Sequence, residues 1–106
     1  MVVEEKALKE LRESLKEILG DHILRMMLFG SRARGDYGDD SDIDIAIIVR
    51  GLNRELKHQI LGKVAEIELE YLMPLSVLVL SEDEFNRLKK RERRIALDID
   101  REGISL

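Results

Sequence analysis

Leu8, Leu11, Leu15, Ile18 and Leu19 recur at the spacing of one helix face, and Gly20 stands where such a helix would end. Residues 4–19 are therefore expected to form an amphipathic helix. The pattern then changes: Ile23-Leu24-Arg25-Met26-Met27-Leu28-Phe29 is a nearly continuous apolar run, as a strand buried on both faces reads. A second such run, Ile43 to Val49, follows a polar interruption from Gly30 to Ser41 and ends at Arg50-Gly51. Asn53 is placed to cap a second long helix whose inward stripe is Leu56, Ile60, Val64, Ile67 and Tyr71. Pro74 separates that helix from a third strand, Leu75 to Leu80. Ser81-Glu82-Asp83-Glu84 then has the form of a capping box, opening a helix with Phe85 and Leu88 inward. Beyond Lys89 the chain is highly charged; Ile95 and Ile99 fit a helix, Ile95-Leu97-Ile99 would equally fit a strand, and Gly103 ends either one. The order α-β-loop-β-α-β-α-α describes a small α/β domain with three short strands.

At 106 residues the chain supports one modest core, and no repeat or linker divides it, so residues 1–106 are taken as a single domain. Apolar residues at 44% and charged residues at 38% place it among soluble globular proteins. No apolar run approaches the roughly 20 residues of a membrane span, and the first residues lack the pattern of a signal peptide. Without cysteine there are no disulfides, thiolate metal sites or Cys nucleophile, and a cytoplasmic location is expected. A net charge of −4 and only 4% aromatic residues argue against nucleic acid as the main partner.

The unusual chemistry lies between Gly30 and Asp44. Asp42 and Asp44 are two apart at the start of a strand, so both carboxylates face one side. Their neighbours, Ile43 and Ile45 to Val49, are apolar throughout. Paired carboxylates at the edge of a core repel each other unless a cation neutralises them, and all-oxygen ligands with room for water and phosphate suit Mg²⁺. Such a pair could serve two ions about 3.5–4 Å apart, as in-line phosphoryl chemistry uses them. Gly30 and Ser31 supply the complementary half, a close backbone approach and amide and hydroxyl donors for phosphate oxygens. Arg32 and Arg34 can offset the charge of a triphosphate. Three other motifs fail: Gly35 is followed by Asp36 where a P-loop needs Lys, Ile45 stands where an EF-hand needs Gly, and Arg34-Gly35-Asp36 is explained better by its neighbours. His22, His58 and the run Arg87 to Arg94, with six basic residues in eight, read as surface; the run could also dock an acidic partner or RNA.

Leu28-Phe29-Gly30-Ser31-Arg32-Ala33-Arg34-Gly35, followed by Ser41-Asp42-Ile43-Asp44-Ile45, resembles the signature of the DNA-polymerase-beta-like nucleotidyltransferases, in their short minimal branch. The resemblance implies an α+β fold, a mixed three- to four-stranded sheet flanked by helices. It implies that Gly30 and Ser31, with Arg32 and Arg34 beside them, hold nucleotide phosphates, and that Asp42 and Asp44 bind Mg²⁺ as the catalytic pair. The reaction it implies is transfer of AMP from ATP to an acceptor hydroxyl. Minimal members are often paired with a helical HEPN protein as antitoxin and toxin, so a HEPN-type partner or self-association is expected. One position departs from the pattern: Ser76 stands where active members carry a third carboxylate, and Glu68 and Glu70, the nearest acids before that strand, read as exposed helix residues. Two further readings therefore stay open: an inactive nucleotide-binding antitoxin that acts by binding alone, and transfer to a small molecule such as an aminoglycoside.

Overall fold

The computed structural model describes residues 3–30 and 42–106. Helix α1 (Val3–Leu19) buries a row at four-residue intervals, Ala7, Leu11, Leu15 and Leu19, with Leu8 and Ile18 packed at its margins. It stops at Gly20, whose φ of +53° starts a single 3₁₀ turn, Gly20–His22. Strand β1 (Ile23–Phe29) follows and pairs antiparallel with β2 (Ile43–Val49). A register shift between Ile23 and Arg25 marks a bulge there.

Helix α2 (Arg54–Tyr71) is capped by Asn53, whose side chain accepts the Leu56 N–H at 2.8 Å. It closes on Leu72 in the left-handed conformation, with the Leu72 N–H donating to the Glu68 carbonyl. Strand β3 (Leu75–Ser81) runs parallel to β2, as a strand–helix–strand crossover allows. The capping box at Ser81 is complete: Glu84 N–H donates to Ser81 Oγ at 3.0 Å, and Ser81 N–H donates to the Glu84 carboxylate at 3.2 Å. It opens α3 (Glu82–Lys90), which a short turn joins to α4 (Arg94–Glu102). The ambiguous segment around Ile95 and Ile99 is thus helical, because Ala96 and Ile99 share one buried face while Ile95 stays partly exposed. Strand β4 (Ile104–Ser105) pairs antiparallel with β1 and gives a four-stranded mixed sheet of order β3-β2-β1-β4. At two residues it is too short to show any periodicity in the sequence.

The sheet separates two cores. Ile43, Ile45, Ile47 and Val49 of β2 face α1 and α2, and pack with Leu11, Leu15, Ile60, Val64 and Ile67. Ala46 and Ile48 face the other way, onto Met27, Phe29, Leu80, Phe85, Ala96 and Ile99. Both cores are built by apolar burial, with no buried polar or charged residue among the described ones.

Candidate functional site

Three strand ends meet at one end of the sheet: β1 finishes at Phe29, and β2 and β3 begin at Ile43 and Leu75. Asp44 lies there. Strand alternation turns it to the same side as Ala46 and Ile48, the face covered by α3 and α4. In register its neighbours are Phe29 on β1 and Ser76 on β3. Asp42 precedes the strand by one residue and is exposed, whereas Asp44 is half-buried. Asp44 therefore presents a carboxylate at the open end of an otherwise apolar face, with the exposed Asp42 immediately before the strand.

Gly30 completes this geometry. Its φ is +75°, and a Cβ built on it would overlap the Asp44 carboxylate oxygen. The Asp44 side chain thus occupies the space that any other residue at position 30 would claim. Glycine at the end of β1 thus meets two demands here, a left-handed backbone and the close approach of a carboxylate. Of the candidate phosphate-binding residues, Gly30 is the one among the described residues; Ser31, Arg32 and Arg34 lie outside them.

The register places Ser76, which is exposed, directly beside Asp44 on the same face. Among the described residues no group of three or more His, Cys, Asp or Glu is arranged to hold a metal. Two carboxylates from the chain still fit Mg²⁺, which binds through one or two carboxylates and takes its remaining oxygens from water and phosphate.

Glu68 differs from its reading as an exposed helix residue. It is half-buried, and its carboxylate accepts the Leu75 N–H at 3.1 Å. Leu75 pairs with Ile43, so this bond ties the end of α2 to the start of β3 and fixes the strand end that carries Ser76 beside Asp44. A glutamate one turn before a helix end is the sequence signal for such a tether, though it does not identify the amide. Glu70 is exposed as expected.

Further along the same face, Arg25 and Asp100 pair at 3.1 Å and Lys89 adds a contact at 3.7 Å. Arg25 and Lys89 also lie over the Phe85 ring, at 5.5 and 5.0 Å from its centre. The Arg25 hydrogen bond holds the Asp100 carboxyl below its ordinary range. These contacts pin α3 and α4 onto β1 and contain none of the candidate site residues. Arg87, Lys90, Arg91, Arg93 and Arg94 are exposed, as are His22 and His58.

Residues 8–101 match the family model described as a nucleotidyltransferase domain. A Methanocaldococcus jannaschii protein, provisionally named a protein adenylyltransferase, is 38% identical over 84 residues, covering 79% of this chain and 80% of that protein. A solved structure provisionally described as a minimal nucleotidyltransferase superposes with a TM-score of 0.56 at 26% identity, over 100% of this chain and 97% of that one. A toxin–antitoxin structure with AMP-PNP is similar in fold alone, with a TM-score of 0.51 at 20% identity over 91% of this chain and 69% of that one.

Proposed function

The chain belongs to the family of nucleotidyltransferase domains, and on that footing we propose that it transfers AMP from ATP to a hydroxyl group on a partner protein. The observation that carries this reading is the packing of the Asp44 carboxylate against a Cβ-free Gly30 where three strand ends meet. Asp42 and Asp44 are the residues that would hold Mg²⁺, one ion or two, and Gly30 and Ser31, helped by Arg32 and Arg34, would receive the triphosphate. Bound there, the metal would offset charge on the phosphate oxygens as it develops. The acceptor hydroxyl gives up its proton to solvent as its oxygen forms a bond to the α-phosphorus of ATP, the bond from that phosphorus to the bridging oxygen of the β-phosphate breaks, and pyrophosphate leaves with the electron pair. Support for a protein acceptor comes from the relative named for protein adenylylation and from the toxin–antitoxin neighbour. A helical HEPN-type toxin is the partner we assign.

Ser76 favours a second reading, in which the chain holds nucleotide and neutralises its partner by binding alone. Serine cannot serve as a charged ligand or base beside Asp44 as a carboxylate would. One experiment separates the two: purified chain, Mg²⁺, α-labelled ATP and the candidate partner, followed by intact mass. Transfer predicts an AMP increment on the partner that Asp42→Asn with Asp44→Asn abolishes. The binding reading predicts no increment and neutralisation that the double substitution leaves unchanged. Under the transfer reading, Ser76→Asp should raise the rate by about a hundredfold or more, the range that positioned acid–base groups contribute.

A further inference from the structure

The outer edge of the sheet is unusual for an edge. Among the described residues β3 has β2 on one side and no strand on the other. Its sequence, Leu75-Ser76-Val77-Leu78-Val79-Leu80-Ser81, contains neither charge nor proline. The pairing with β2 runs from Ile43–Leu75 to Val49–Ser81 without a shift, so no bulge twists the edge away. Edge strands exposed to solvent are ordinarily protected by one of these devices, since an unprotected one pairs with any strand it meets.

The helix beside this edge is also uncovered. Tyr71 donates a hydrogen bond to Glu10, which turns one side of α2 toward α1, and Ile60, Val64 and Ile67 point into the core. Glu68, bonded to Leu75 N–H, marks the side bordering β3. Leu61 stands seven residues before Glu68, two turns back and hence on that same side, with Leu69 following Glu68 and Leu72 at the helix end. They are 42%, 85% and 76% exposed for Leu61, Leu72 and Leu69. Leu72 is held at φ +50°, where glycine is the favoured residue. A leucine there is disfavoured by both backbone and solvent.

We propose that this face seats a second copy of the chain. The two β3 strands pair antiparallel about a two-fold axis normal to the sheet. Leu61, Leu69 and Leu72 of both copies meet above the join, because that axis keeps both α2 helices on one side. The strand is suited to itself: centred on Leu78, the antiparallel register sets Val77 opposite the partner's Val79, a favourable β-branched pair. With no charge to select a foreign strand, self-pairing is the favoured match. Because the strands join in the plane of the sheet, the face carrying Asp44 stays open to nucleotide and acceptor.

Sedimentation equilibrium of the full chain, with hydrogen–deuterium exchange at high and low concentration, tests this. The expected species has twice the 12.3 kDa chain mass, and amides of residues 75–81 should exchange at least about tenfold more slowly in concentrated than in dilute samples. Leu69→Glu with Leu72→Gly should weaken association at least tenfold while leaving the circular dichroism spectrum unchanged, since both positions are exposed and glycine suits the backbone at 72. A chain that is monomeric at every concentration overturns the proposal. So does a dimer whose 75–81 exchange is insensitive to dilution, or a double variant that associates as before. Protection of 75–81 that appears solely on adding another protein assigns the edge to that protein instead.

Discussion

The two faces of the β-sheet are built to different plans. On one, α1 and α2, 17 and 18 residues long, cover β2 end to end, and every β2 side chain pointing there is a buried Ile or Val. On the other, α3 and α4 have nine residues each, and the β2 side chains run Asp44, Ala46, Ile48. The same strand thus closes one core completely and leaves the other open at one end. Under the proposed function, that difference separates stability from chemistry. The closed face supplies apolar burial; the open one supplies a carboxylate next to a strand end where a charged ligand can approach.

Adjacent residues on β2 should therefore respond in opposite ways. Ile45 is fully buried on the closed face, and Ile45→Ala should destabilise by about 2–5 kcal/mol through lost contacts and a residual cavity. Asp44→Asn, one residue away, should leave stability within about 0.5 kcal/mol of the parent, as removal of a half-exposed charge usually does. It should nevertheless remove nucleotidyl transfer. Chemical denaturation of both variants, set beside label transfer, checks the pair. A large stability loss in Asp44→Asn would show that the carboxylate is part of the core rather than a functional group.

Most of this contrast was legible in the sequence, because periodicity reports which faces are apolar. The strands at 23–29 and 43–49 follow from nearly continuous apolar runs bounded by turn residues, and the Asp42–Asp44 pair from the two carboxylates at the start of the second run. The departure at Ser76 was also legible, but that it lies directly beside Asp44 depends on the parallel register of β2 and β3, which no local pattern specifies. The Glu68 tether was missed for a related reason: its partner is a backbone amide, and amides carry no sequence label. Tyr71 was read correctly as inward, yet its hydroxyl partner Glu10 is 61 residues away. The β4 strand owes its place to a pairing with Met27 and Leu28, not to its own two residues.

Gly30 tests whether the open end depends on a backbone that only glycine allows. Gly30→Ala forces a Cβ into the Asp44 carboxylate at a φ of +75°, so stability should fall by about 1–3 kcal/mol. Transfer should fall further than the folded fraction does, because Asp44 must turn out of its position. Activity corrected for the folded population is the measurement, and a correction that restores parental activity would mean that Asp44 does its work from another rotamer.

The smallest effect sits in the seam between the helices of the closed face, and it appears only at alkaline pH. Tyr71 donates a 2.6 Å hydrogen bond to Glu10. That bond to a carboxylate, then desolvation, then the charges of Glu10 and Glu70, raise the phenol from an ordinary 10.0 to about 12. A group that binds its proton more tightly when folded contributes stability that is complete below its unfolded value. The contribution is therefore intact below pH 10 and is lost as pH rises from 10 to about 12. The neighbouring Glu70 carboxyl is itself raised, chiefly by desolvation and then by Glu10. Thermal melts of the parent and Tyr71→Phe should differ by a constant amount up to about pH 10, then converge as the parent loses its advantage. Parallel curves through pH 12 would mean that the hydrogen bond contributes nothing to the fold, and that apolar packing alone holds α1 against α2.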